Sequence, residues 1–354
     1  MVKKKIKQAI NKVKSTDEVT ALQQASDNAP RITNDTVAEH REQVLKKARK
    51  HIIPLAHTKH QIVILTTSVI VVSLIGFFTY VTLALYKFQQ SSTFLYRVTQ
   101  VIPFPVARVD GNFVAYENYF FELRHYKHYY QSQQKLNFSS NEQDKQQLAA
   151  FQQQARQKVV DDAIVQQLAK KNGVSVSDKE VNKQIELVRK QNRLGENDKV
   201  FEDVLRNYWG WRVDDFRRSL RQQMLAQKLV SKLDTGTADR ANKALSELNS
   251  GVSFAEVAKR YSDDPSSKDN GGEFGFPIER TNRDLTAQTV DTLFNLQPGQ
   301  ASGIINTGYT LEIVKNIETQ GDVIKGAHIV FKFKDINHYL DPVKEKTKIT
   351  IFID

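Results

Sequence analysis

The chain has 354 residues, of which 40% are hydrophobic and 26% charged. That is more length than one ordinary domain needs and enough apolar material for sizeable cores, so wholesale disorder is excluded. No cysteine occurs in these residues, which excludes disulfide scaffolds, thiolate zinc sites, iron–sulfur clusters, cysteine nucleophiles and a lipid-modified cysteine among them. The formal net charge is +11, but residues 1–60 hold 13 Lys and Arg against 6 Asp and Glu and so carry +7 of it. A uniformly basic nucleic-acid binder is not indicated.

In chain order, the basic tail (1–60) opens KKKIKQAINKVK, with Ile6, Ile10 and Val13 on one helical face. This is either a helix for anionic lipid or a solvated tail that reinforces topology. Residues 15–40 read as flexible polar linker. From Gln61 to Tyr86 no charge occurs; a helix of that length spans roughly 39 Å, more than the ~30 Å hydrocarbon core. A transmembrane helix is predicted over 61–86. Lys46, Lys47, Arg49, Lys50 and Lys59 crowd its N-terminal flank, whereas Lys87 and Arg97 are sparse on the other. The positive-inside rule predicts a cytoplasmic N-terminus and extracytoplasmic residues beyond about 87.

A linker is expected over 87–103. Then Val106 to Val114 alternates around Asp110-Gly111, a small strand and turn that leads into a helix from about Tyr116. Within the Gln-rich stretch 131–157 and beyond, Leu148, Phe151, Ala155, Val159 and Ala163 make an apolar stripe at helical spacing. Ser177 with Glu180 forms a capping-box pattern, Phe201, Leu205 and Tyr208 mark a helix closed by Gly210, and Phe216, Leu220, Met224 and Leu229 mark a long last one. The segments VARVDGNFV, VVDDAIVQQLAKKNGVSVSDKEV and YWGWRVDDFRRSLRQQMLAQKL together resemble the N-terminal chaperone region of SurA, PrsA and PpiD type foldases, over roughly 104–232.

In the C-terminal part, Ala241, Leu245 and Leu248 share a helix face, and Ser253 with Glu256 makes a second capping box. Gly271-Gly272 permits a tight turn into a strand at Phe274 to Phe276, Pro298-Gly299 makes another turn, and Leu311 to Ile317 reads as a strand. ALSELNSGVSFAEVAKRYSDDPSSKDNGGEFGF, followed by LFNLQPGQASGIINTGYTLEIVKN, is similar to the parvulin (PpiC) class of peptidyl-prolyl isomerases. The resemblance implies catalysis by Asp264 and His328, with Phe274, Leu285, Phe294 and Thr310 at the substrate. The bland alternatives are that Asp264 caps the loop before Pro265 and that the two phenylalanines are core.

The chain departs from the parvulin pattern in three places. Thr310 stands where the family has a second His, Thr289 replaces an aromatic of the proline pocket, and the four residues 234–237 leave no room for the family's opening H-I-L strand. Lys325 to Phe333 resembles that strand, displaced downstream. It is either the completing strand of a circularly permuted parvulin domain, paired with 311–317, or the start of a truncated second repeat. The final TKITIFID reads as a strand without an assignable place.

His125 and His128 share a helix face, but no carboxylate or second His pair completes a metal set, and no H-E-x-x-H, G-x-S-x-G or Walker lysine occurs. Hydrolase and nucleotide readings are weak. The expectation is an α+β protein with tail 1–60, membrane helix 61–86, linker 87–103, helical domain 104–232 and parvulin-like domain 233–354. It would be an extracytoplasmic, membrane-anchored isomerase and chaperone, needing neither cofactor nor metal and binding no nucleic acid. Its partners would be unfolded or secreted polypeptides near the secretion machinery. The alternative is a holdase that keeps the parvulin fold only to bind extended chains.

Overall fold

The computed structural model describes residues 32–138, 141–191 and 197–353. The basic KKKIKQAINKVK segment lies outside them. The chain divides into two units after Tyr80. The first is helical from Asn34, within helix α1, Asn34–Thr82. Residues 34–40 are therefore helix rather than the expected linker, because Thr33 and Thr36 cap the start reciprocally: Thr36 N donates to Thr33 Oγ1 at 3.3 Å and Thr33 N to Thr36 Oγ1 at 2.9 Å. The stretch Lys59–Lys87 is long and apolar enough to cross a membrane, with a mean hydropathy of 2.4. Ile64, Leu65 and Val72 on it stand exposed.

The second unit begins at Val81. A π-helical turn, Leu83–Lys87, precedes helix α2, Thr93–Val101, capped by Ser92. The expected linker 87–103 thus contains a helix, and Leu95 and Thr99 are the residues it buries. Strands β1 (Pro105–Val109) and β2 (Asn112–Ala115) form the expected hairpin, with Asp110 and Gly111 both at positive φ. Five helices follow: α3 Tyr116–Gln133, α4 Glu142–Lys171, α5 Asp178–Gln191, α6 Asp198–Trp209 and α7 Val213–Leu233. The Ser177–Glu180 box closes in both directions ahead of α5, and Gly210 ends α6 in the left-handed conformation.

Arg218 on α7 ties this helical region together. It donates to both Glu117 oxygens at 2.7 and 2.9 Å and to Asn118 at 2.6 Å, all on α3, and stacks its guanidinium 4.2 Å from the Phe121 ring centroid. Removing it strands a largely buried carboxylate. Arg218→Met is expected to lower stability by about 2 kcal/mol, read as a drop in urea midpoint by tryptophan fluorescence.

The C-terminal part contains α8 (Thr235–Asn249), α9 (Phe254–Tyr261), the short strand β3 (Ile278–Glu279), α10 (Ala287–Asn295) and strands β4 (Ile305–Asn306), β5 (Thr310–Gln320) and β6 (Val323–Lys332). The four-stranded antiparallel sheet runs β3-β6-β5-β4. Residues 274–276 form no strand, against expectation. Gly272 and Gly275 hold positive φ on either side of Phe274, so this segment makes only a bridge at Glu273↔Ala327 before pairing resumes at β3.

β5 and β6 form a long hairpin with Thr310↔Lys332 and Val314↔His328 in register. This is the pairing expected of the permuted arrangement: β6 takes the central slot beside β5. Side chains alternate between two faces. Leu311, Ile313, Ala327, Ile329 and Phe331 pack under α8 and α9 in one core, while Val314 and Ile324 join Ile278 and Leu293 in a second.

The end of the chain departs from the domain division. After α11, Asn337–Lys346, strand β7, Ile349–Ile351, pairs antiparallel with β1, as in Arg108↔Thr350, and completes a sheet of order β2-β1-β7. Lys344 also reaches Asp161 on α4 at 2.8 Å. Residues from about 337 onward therefore pack with the helical region rather than with the 233–332 sheet. The unpaired edge of β1 is what holds TKITI there.

Candidate active site

The site is built on one edge of β6. Beside β3, that edge has no strand partner along 326–332, and the loop 262–274 covers it instead. Ser262 Oγ accepts from Val330 N at 3.1 Å, Asp263 N donates to Val330 O at 2.7 Å, and the Asp263 carboxylate accepts from Lys332 N at 2.9 Å. Arg240 clamps the same carboxylate through two nitrogens at 2.6 and 3.1 Å. At the loop's other end, His328 N donates to Gly272 O at 2.8 Å and Phe274 N to Gly326 O at 3.1 Å. Both ends are sewn to the strand, so the middle of the loop must arch over the side chain between them, His328.

Asp264 sits in that arch. Its Oδ2 lies 2.8 Å from His328 Nε2 and also accepts from the Ser267 hydroxyl; its Oδ1 accepts from Ser266 N at 3.1 Å and from Ser266 Oγ at 2.7 Å. Ser267 Oγ is 3.0 Å from His328 Nε2, so serine, histidine and carboxylate close a triangle. Burial pushes the Asp264 carboxyl up, but the hydrogen bonds from Ser267, Ser266 and His328 outweigh it and hold the group well below the ordinary carboxylate range. A folded value below the unfolded one of about 3.9 means that the stabilisation is complete above roughly pH 4 and is lost as the pH falls through the folded value. Between pH 4 and 2 the urea midpoint of the unsubstituted protein is expected to fall more steeply than that of Asp264→Asn.

Phe274 lies against the histidine, with ring centroids 4.2 Å apart, and Phe276 follows at 5.9 Å from Phe274. Phe274, Leu285 and Phe294 are partly buried around the same cluster of Ile278, Leu293, Val314 and Ile324. Arg280 covers Phe294, 4.2 Å from its centroid. The structure thus brings Asp264, His328 and Phe274 into contact and sets Leu285 and Phe294 in the adjoining apolar cluster.

Thr310 is on the His328 face of the sheet by strand alternation, but its contacts are different. Its hydroxyl donates to Glu312 Oε1 at 2.9 Å and meets Thr307 Oγ1 at 2.8 Å. Thr289, buried on α10, donates to Glu312 Oε2 at 2.9 Å. Thr310 and Thr289 therefore converge on one carboxylate. Sequence reasoning missed Glu312, Ser266 and Ser267. The serines follow Asp264-Pro265 directly, and an Asp side chain commonly accepts from the backbone N–H two residues on, as it does here from Ser266 N.

Two family models match the chain. A SurA-like N-terminal domain matches residues 55–230 and a PPIC-type PPIase domain matches 225–318. Foldase protein PrsA 2 of Bacillus cereus is 27% identical over 159 residues, covering 40% of this chain and 53% of that protein. Chaperone SurA of Methylobacillus flagellatus is 25% identical over 254 residues, covering 58% and 57%. Foldase protein PrsA of Lacticaseibacillus paracasei is 26% identical over 229 residues, covering 49% and 74%. The crystal structure of foldase protein PrsA from Streptococcus pneumoniae is similar with a TM-score of 0.18 and 20% identity, over 55% of this chain and 74% of that one. The first curated relatives are matched over about half of their length or less. The chain carries a SurA-like N-terminal domain joined to a PPIC-type PPIase domain. The PPIase match ends at 318 and leaves β6, with His328, outside it.

Proposed function

We propose that the protein is a membrane-anchored foldase: a peptidyl-prolyl cis-trans isomerase with a chaperone region, acting on unfolded polypeptides on the extracytoplasmic side. The observation that carries the reading is the Asp264–His328–Ser267 triangle at the rim of an apolar cluster. Rotation about an X-Pro bond meets a barrier of roughly 18–20 kcal/mol held up by amide resonance, a charge-separated form that exists only when the amide is planar. A site that grips the proline ring against Phe274, Leu285 and Phe294 places that amide in a poorly solvated setting, where charge separation is disfavoured and the twisted state is relatively preferred. An ionised Asp264 near the carbonyl oxygen opposes the partial negative charge of the planar form, and His328 and Ser267 hold that carboxylate in place. No bond is made or broken and no cofactor is required.

In this reading Lys59–Lys87 spans the bilayer, the flanking lysines keep the N-terminus cytoplasmic, and the helical region with β7 receives extended clients near the secretion machinery. Residues 81–336 with the returning strand 349–351 form the working part. A second reading, a holdase that binds without isomerising, is favoured by the Thr310–Glu312–Thr289 contacts, which replace family groups.

The test is cis to trans exchange of a short X-Pro peptide by NMR, with the full chain in nonionic detergent. Accelerated exchange supports the isomerase. Saturable binding of the peptide by folded protein without acceleration supports the holdase.

A further inference from the structure

A cleft of the helical region is remote in sequence from the isomerase site and takes no part in the chemistry proposed for it. Its volume is about 610 Å³, and it lies between the start of α2, the middle of α3 and the α6–α7 turn. One wall is a stack of rings: Trp211 lies parallel to Phe121 at 5.7 Å and to His125 at 4.4 Å, with Trp209 at 6.0 Å. The rest of the lining is polar and sets four cations, Arg97, Arg124, Lys127 and Arg212, against one carboxylate, Asp215.

These charges are poorly matched. Arg212 pairs with Asp215, but no carboxylate stands within ion-pair distance of Arg97, Arg124 or Lys127 among the described residues. The half-buried Lys127 ammonium donates to Ser91 Oγ at 2.9 Å, and Arg124 donates to Thr93 Oγ1 at 3.2 Å while lying 4.7 Å from the Tyr96 ring centroid. Burial and the neighbouring Arg124 charge push the Lys127 ammonium down from its ordinary value. The partly buried Arg124 and Lys127, offered only hydroxyls and a ring face, are a cost to the fold unless an anion joins them.

Position supplies the choice of anion. Ser91, on the rim, is four residues beyond Lys87, where the apolar stretch ends. Four extended residues span at most about 14 Å, so the rim stays close to the lipid headgroup layer. The cleft is of a size for a small polar group. We infer that it is a binding site for the headgroup phosphodiester of an anionic phospholipid, held by Arg97, Arg124 and Lys127 over the tryptophan stack. The inference rests on the membrane-anchored reading. Occupancy would fix the helical region against the bilayer surface and neutralise charge that the fold leaves unpaired.

The chain's two tryptophans, Trp209 and Trp211, both line the cleft, so intrinsic fluorescence reports on it directly. The full chain in nonionic detergent is titrated with water-soluble dihexanoyl phosphatidylglycerol. A saturable emission change is expected, with apparent affinity weakened about tenfold or more in Lys127→Met and in Arg97→Gln. Arg97 is exposed, so its loss leaves folding intact. No emission change, an equal response to dihexanoyl phosphatidylcholine, or an equal response to inorganic phosphate would overturn the inference, the last reassigning the cleft to a free anion. Displacement of bound phosphatidylglycerol by an acidic peptide of higher affinity would overturn it in favour of a polypeptide ligand. Alkaline extraction of membranes that contain the protein tests the anchor separately. Its failure with a positive titration would leave a lipid site on a peripheral protein, and the reverse would leave an anchored protein without one.

Discussion

Replacing Asp264 with alanine is expected to lower the catalysed exchange rate of an X-Pro peptide, as kcat/KM, by about a hundredfold, the usual loss when one preorganised electrostatic group is removed from a site. The carboxylate stands at the centre of four polar contacts, two from Ser266 and one each from Ser267 and His328. Alanine removes its charge and leaves His328 Nε2 with only Ser267. Asp264→Asn separates the two consequences. It retains an acceptor for the serines but carries no charge, so activity close to alanine's would assign the effect to charge, and recovery to within a few fold of the unsubstituted enzyme would assign it to geometry. Activity unchanged in both variants would remove Asp264 from the mechanism. The hydrogen bonds keep Asp264 ionised throughout the range in which the assay is run, so its charge is present in the unsubstituted enzyme at every pH compared.

The reach of sequence reasoning follows from the range of the forces involved. Local signals read well. The Ser177 and Ser253 caps, the left-handed stop at Gly210 and the Asp110-Gly111 turn each depend on atoms within a few residues, and each is present. The β5–β6 hairpin was also legible, since its alternation and its turn are contiguous. What stayed hidden depends on chain segments far apart in sequence. The place of TKITI is decided by the open edge of β1 some 240 residues earlier, and nothing in those few residues names that partner. The helix at Thr93–Val101 was hidden because its stabilising contacts, such as Arg124 to Thr93, lie on a later helix. Within the site, Asp264 and His328 could be singled out by resemblance, but Glu312 could not. Its neighbours Thr289 and Thr310 read as losses relative to the family, and only their convergence on one carboxylate shows that they form a contact of their own. The absence of a strand at 274–276 has a local backbone origin: left-handed glycines at 272 and 275 bracket the single bridge to Ala327, and the backbone turns away from β6 beyond Phe274.

Those glycines provide the second strong test. Gly272 holds φ +79, and a Cβ there would stand 2.4 Å from the carbonyl oxygen of His328 and 3.3 Å from Ala258 Cβ. The nearest atom is backbone in the central strand and cannot swing aside as a side chain would. Gly272→Ala therefore combines the left-handed penalty for a residue with a Cβ, about 1–2 kcal/mol, with overpacking of about 1–3 kcal/mol, and a loss near 3 kcal/mol is expected in urea unfolding. Gly275→Ala is the matched control. Its φ is +78, but nothing lies within 4 Å of the added Cβ, so only the backbone cost remains. The functional consequence should also differ. Relief of the Gly272 clash requires the 271–274 segment to lift from β6, which breaks the His328 N to Gly272 O bond and carries Phe274 away from the imidazole. Isomerisation should then fall by at least tenfold at temperatures where the variant is still folded, although Asp264 and His328 are both present. Equal stability of the two alanine variants would show that the loop does not lie against β6 as closely as the distances state, and the arch that places Asp264 beside His328 would need another origin.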